Sequence, residues 1–286
     1  MFEAFSRSWA YAKTSYGILW RHKRLLIFPM LSGLAAIIVT LSFFWPVYGS
    51  GALERWMDSG GEGADRTGMY VTAFLFYFCN YLVIVFFNSA LIASTMMWSA
   101  GGTPTIGGGL SAACKRMPQI FGWALISAVV GVLLKVVENS NKKAGRFIAG
   151  ILGMGWTALT YFVVPIIVVD GVGPFQAFKR STQTLRSTWG TALMGNFSLG
   201  LVGLLVSLPL ILLAGLVVYA GFAIGSAAAI AAAIVVGLII IVTTMAASSA
   251  AGTIFRALLF SYSTDRALPP GVDSSQFADA FVPSGA

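Results

Sequence analysis

The chain has 286 residues, of which 57% are hydrophobic and only 10% charged, against about 25% charged in soluble domains. It lacks the charge to cover a water-facing surface, which excludes an ordinary soluble enzyme or binding module and makes the bilayer its solvent. The net charge of +8 does not point to nucleic acid, because the basic residues cluster beside apolar spans rather than along a stripe with interleaved aromatics.

A helix needs about 20 apolar residues to cross the hydrocarbon layer. The chain opens with a basic leader ending at Arg24, and the apolar run behind it is long enough to stay attached as a first span rather than be cleaved as a signal peptide. Six spans are read, at roughly 25–48, 69–97, 120–137, 147–169, 191–220 and 224–250. The second is rich in Phe. The glycine-rich "GGTPTIGGG" at 101–109 follows no strand and lacks the Lys-Ser/Thr of a phosphate-binding loop, so it reads as a loop. The fifth and sixth spans are joined by "AGFAIGS", which leaves room only for a tight hairpin. The sixth is rich in Ala and has a helical continuation in "AGTIFRALLFSY".

Orientation follows from the placement of Lys and Arg. With six spans and both termini cytoplasmic, twelve of the eighteen basic residues fall inside, among them Arg7, Arg21, Lys23, Arg24, Lys115, Arg116, Lys179, Arg180 and Arg186. These nine are the expected contacts to anionic lipid headgroups. The 49–68 loop has four acids, two arginines and many glycines, as a flexible translocated loop would. The segment "KVVENSNKKAGR" at 135–146 runs against the rule and leaves a five-span or re-entrant alternative open there.

One polar interruption recurs. In "GVGPFQAFKRSTQTLRSTW", Phe175, Phe178, Thr182, Leu185 and Trp189 share one helical face, with Lys179 and Arg186 at its edge. Similar spacing occurs at Phe2, Phe5, Trp9, Ala12, Tyr16 and Leu19, and again at Leu110, Ala113, Met117 and Ile120, although Pro118 interrupts that copy. Each copy precedes a pair of spans. The chain is thus expected to be a single all-α membrane bundle, 1–286, of six transmembrane helices with amphipathic interfacial helices. A division into three units, 1–97, 105–169 and 173–255, with a cytoplasmic tail at 256–286, fits the same spacing.

The stretches "FSRSWAYAKTSYGILWRHKRLLIFP", "VVPIIVVDGVGPFQAFKRSTQTLRSTWG" and "FRALLFSYSTDRALPPGV" resemble a family of uncharacterised prokaryotic integral-membrane proteins catalogued as a domain of unknown function. The "GPFQAFKRS" stretch is more distantly similar to the membrane domain of bacterial glycerophosphodiester phosphodiesterases, without their catalytic carboxylate domain. The resemblance implies a bacterial inner-membrane architecture and supplies no activity.

The residues offer little chemistry. His22, the one histidine, lies in the basic cluster "RHKR" and reads as a headgroup contact rather than a base. Cys79 and Cys114 read as separate free thiols. No metal site is expected from one His and two separated Cys, and no cofactor. Asn80, Asn88 and Asn196 are the best candidates for an intramembrane polar seam that would serve a permease or channel; helix-to-helix packing is the stronger reading of all three. Gly221, Gly225, Ala229, Ala233 and Gly237 recur every four residues and would line one face of a continuous helix, permitting close approach of a neighbour. The expectation is a non-enzymatic scaffold, accessory or membrane-organising protein whose partners are membrane lipids, with another membrane protein or a second copy of itself as further candidates.

Overall fold

The computed structural model describes residues 13–58, 64–140, 144–269 and 272, and the side chains of all of these except 56–58, 64–66, 187–202 and 206. Arg7 and the first residues of the N-terminal amphipathic copy lie outside the described residues, and so do the side chains of Trp189 and Asn196. The described residues form helices and turns with no strand among them. Helix α1 (13–21) ends at His22, and a single 3-10 turn, Lys23–Leu26, leads into α2 (Ile27–Gly49). There follow α3 (Ala52–Asp58), α4 (Ala64–Ser99), α5 (Ile106–Lys115), α6 (Met117–Ser140), α7 (Ala144–Leu159), α8 (Val163–Asp170), α9 (Pro174–Ile224) and α10 (Ala227–Ser263).

Six helical stretches among the described residues are long and apolar enough to cross a membrane: Lys23–Gly49, Thr67–Ser99, Met117–Ser140, Ala144–Asp170, Gly203–Ile224 and Ala227–Ser263. The chain is a multi-pass all-α membrane protein. Its spans present Leu34, Ile38, Leu41, Leu133, Leu212, Leu216, Leu238 and Ile239 outward, a surface that only lipid would solvate.

Three expectations change. The 49–68 loop contains the short helix α3, in which Glu54 sits in the first turn and Arg55 in the last, as the helix dipole favours. Half of "GGTPTIGGG" is the first turn of α5: Thr105 caps it by accepting from the Gly108 amide at 3.1 Å, and Ser94 donates to the Thr105 carbonyl at 3.2 Å. The helical continuation read in "AGTIFRALLFSY" is present, since α10 runs on to Ser263 and buries Ile254, Phe255, Leu258, Leu259 and Phe260. The third amphipathic copy is not a separate element, because α9 continues unbroken from Pro174 into the fifth span. The middle copy does break, at Arg116 between α5 and α6, where Pro118 falls in the first turn of α6. Between Pro174 and Pro209 the third copy has no proline to stop it.

Contacts divide the chain into two compact units that interleave its segments: Met1–Met30, Leu91–Gly109 and Thr184–Ala286 form the first, and Leu31–Ala90 with Leu110–Gln183 the second. In the first, α9 and α10 make a hairpin whose turn is only Gly225 and Ser226. Gly225 takes a left-handed backbone (φ +78) and Ser226 caps α10 by accepting from the Ala229 amide. The small residues therefore do not line one continuous helix. They face each other across the hairpin, where a Cβ on Gly221 would collide with the Ala233 methyl, and one on Gly237 would stand 2.8 Å from Val218 Cγ2. Small side chains on both arms let the backbones approach closely, the usual device of helix pairs in lipid.

In the second unit aromatic contacts tie the helices together. Trp123 of α6 stacks on Trp156 of α7 at 5.6 Å, and Trp156 on Phe178 of α9 at 5.8 Å. Phe78 of α4 meets Phe121 of α6 edge-on at 5.0 Å. The fourth span is broken at residues 160–162 between α7 and α8. Pro165 has no N–H to give to the preceding turn, so the helical ladder is interrupted there. Ser181 of α9, fully buried, repairs the break from outside: its hydroxyl donates to the Leu159 carbonyl at 2.7 Å and accepts from the Phe162 amide at 3.1 Å. Replacing it, Ser181→Ala, leaves two buried backbone groups without that partner. At about 1–3 kcal/mol for each unsatisfied group, the variant should unfold at a clearly lower temperature in detergent, while Ser181→Thr should recover part of the loss. An unchanged melting temperature for the Ala variant would refute the role given to this hydroxyl.

Candidate functional site

The basic residues fall into two settings. The first is the end of α8, in the second unit. Gly171 follows the helix in a left-handed conformation (φ +68), its amide donating to the Ile167 carbonyl at 3.1 Å. This is the usual helix-ending position for glycine. The Arg116 guanidinium occupies the space a Cβ on Gly171 would need, and Arg116 Nε donates to the Val168 carbonyl at 3.4 Å. Gln119 Nε2 donates to the Gly171 carbonyl at 3.3 Å. Arg180 Nη1 pairs with Asp170 Oδ2 at 2.7 Å, the carboxylate being largely buried. Two guanidinium groups thus gather at the negative end of one helix dipole, beside its last carbonyls.

Arg116 and Arg180 are half-buried. Both spend donors on the chain itself, whereas Lys115, Lys179 and Arg186 are exposed. Asp170 was missed in the sequence, although "VVDG" before a glycine helix end was the available clue.

The second setting lies in the first unit. A cleft of about 430 Å³ is lined by Trp20, Arg21, His22, Lys23, Arg24 and Leu25 together with Thr103 and Pro104. Arg21, Lys23 and Arg24 are exposed; Arg21 ends α1, and the 3-10 turn begins with Lys23 and Arg24. The His22 ring is held edge-on against Trp98 at 4.9 Å, and the Lys23 ammonium lies 5.4 Å from the centre of the Trp20 ring. Trp20 itself is 70% exposed, as an aromatic residue at a membrane interface is. The sequence marked the three cations. It gave no sign that the loop after the second span would complete a cleft with them.

The three asparagines offered for a polar seam, with helix packing as the preferred reading, stand as follows. Asn80 donates to the Phe76 carbonyl of its own helix at 2.9 Å; Asn88 is half-buried in α4, and the Asn196 side chain lies outside the described residues. Buried polar groups gather elsewhere, in the first unit: Tyr16 Oη and Ser248 Oγ are 3.1 Å apart, Ser261 Oγ is 3.4 Å from Met96 Sδ, and Thr95 and Ser99 bond back along α4. Cys79 is half-buried and Cys114 exposed, both as free thiols.

Six apolar spans, interleaved packing units and a basic cleft beside the first span define a multi-pass helical membrane protein. Residues 67–268 match the family model DUF6159, described as a family of unknown function, and the chain belongs to that family. The matched region contains Thr103 and Pro104 but not Trp20–Leu25, so the cleft combines residues from within and outside it. No curated protein matches the chain.

The crowding at Gly171 has a measurable consequence. Gly171→Ala should cost about 1 kcal/mol for the left-handed backbone and more for displacing the guanidinium. Combining it with Arg116→Ala should relieve the second part, so a double-mutant cycle in denaturant should be strongly non-additive. Additive losses would mean that Arg116 does not meet residue 171 in the folded protein.

Proposed function

We propose that the protein is a non-enzymatic, multi-pass membrane component of scaffold, accessory or membrane-organising type, which engages anionic lipid through basic residues on one membrane face. The observation that carries this reading is the cleft formed by Arg21, Lys23 and Arg24 with Trp20 at the start of the first span. Alternation of six spans puts that segment on the same face as Lys115, Lys179 and Arg186. A face rich in Lys and Arg is the cytoplasmic one by the positive-inside rule, which supports a bacterial cytoplasmic membrane with both termini inside.

Two measurements test it. Cysteines introduced beside Lys179 should react with an impermeant maleimide only after permeabilisation, and those beside Leu53 in intact cells; the reverse labelling overturns the orientation. Native mass spectrometry of protein released from nanodiscs of mixed phosphatidylcholine and phosphatidylglycerol should show retained anionic lipid. The Arg21→Gln, Lys23→Gln, Arg24→Gln variant should lose it, at about 1 kcal/mol for each cation removed. Equal retention of both lipids by both proteins would end the proposal.

A further inference from the structure

The described residues of the first unit hold seven Lys and Arg side chains and one acid, Asp265. Both ion pairs between described residues, Lys135–Glu138 and Arg180–Asp170, belong to the second unit. No acid lines the cleft, and from residue 4 to residue 53 the sequence contains none. Three permanent cations thus converge on one concavity with no acid against them among the described residues, an arrangement favoured by an anion from outside.

Geometry narrows the anion. Arg21, Lys23 and Arg24 immediately precede or begin the first span, and Thr103 and Pro104 follow the second. Consecutive spans run in opposite directions, so these ends share one membrane face, at the depth of the headgroups. The cleft volume falls within the roughly 300–1,000 Å³ typical of small-ligand sites. The contact of Lys23 with Trp20 and of His22 with Trp98 fixes the turn that carries the cations. Two guanidinium forks, an ammonium and the Thr103 hydroxyl offer more donors than the two unsubstituted oxygens of a phosphodiester accept in good geometry. A phosphomonoester offers three oxygens and a second charge.

We infer that this cleft is a discrete site for a lipid headgroup bearing two negative charges on phosphate, selected over headgroups with a single phosphodiester charge. The inference rests on the lipid-engaging reading above and adds selectivity to it. Binding of water-soluble short-chain lipids to the full chain in neutral detergent tests it, measured by thermophoresis at pH 8, where a phosphomonoester carries nearly its full double charge. Dihexanoyl phosphatidic acid should bind about tenfold more tightly than dihexanoyl phosphatidylglycerol, and phosphatidylcholine should bind weakest. Arg24→Gln and Arg21→Gln should each erase the preference, Arg24→Lys should keep most of it, and Lys135→Gln, outside the cleft, should leave it unchanged.

Equal binding of the two anionic lipids, both above phosphatidylcholine, overturns the selectivity and leaves general lipid engagement standing. No advantage of either over phosphatidylcholine removes both. Inorganic phosphate binding as tightly as phosphatidic acid would assign the cleft to a free anion and overturn the lipid identity. Because Arg24→Lys keeps the charge and Lys135→Gln removes one elsewhere, a loss through misfolding at residue 24 would appear in Arg24→Lys too, and a loss from lower net charge alone would appear in Lys135→Gln.

Discussion

A peptide group in hydrocarbon has no water to bond with, so each amide and carbonyl must find its partner in protein. That requirement explains the long unbroken helices, and it explains most sharply the one place where a span breaks. At residues 160–162 the ladder of the fourth span is interrupted, and the second unit is built around the repair. Ser181 enters from α9 to take the Leu159 carbonyl and serve the Phe162 amide. The following turn of chain is closed by Arg116 and Gln119 reaching the Val168 and Gly171 carbonyls. Phe178, one turn before Ser181, completes the aromatic stack with Trp156 and Trp123. Polar residues of the "AFKRS" stretch are thus part of the packing, and their basicity is only one of their properties.

The interior and exterior of the bundle reverse the habit of soluble proteins. Large aliphatic side chains point out, while Ser, Thr, Ala and Gly are prominent among the residues inside: Ser94, Thr95, Ser181, Ala250, Thr253 and Ser261 are buried. With lipid as solvent, burying a leucine gains little, and close backbone approach with interhelical hydrogen bonds supplies the cohesion. Charge follows a separate logic. Among the described residues the second unit holds the pairs Lys135–Glu138 and Arg180–Asp170, and the first has more basic than acidic side chains. An unbalanced set of that kind is stable only beside water or an anionic surface, which is why it sits at the end of a span.

Much of this was legible in the sequence, for physical reasons. Apolar runs as long as a bilayer is thick have few alternatives to a spanning helix, so the first four spans begin and end within about three residues of where composition puts them. The hairpin between the fifth and sixth was harder, because "AGFAIGS" is as apolar as the helices it joins and its turn is marked only by Gly225 and Ser226. Gly221 and Gly237 were recognisable as packing residues; the split of their stripe over two helices was not, since a period of four reads through a turn. Ser181 was invisible as a structural residue because its partners are 19 and 22 positions away on another helix. The cations of the cleft were evident from "RHKR", whereas their meeting with Thr103 and Pro104 is purely tertiary.

The two-residue turn between α9 and α10 also bears on how the protein is made. Two spans joined so tightly, and zipped through Gly221, Ala233 and Gly237, have no slack for one to be threaded across the bilayer while the other waits outside. They must enter as a preformed pair, driven by their combined apolar surface. The turn carries no charge to hold it on either side. The direction of this pair is therefore inherited from the basic residues upstream, and reversing those charges would invert both helices together or strand both at the surface.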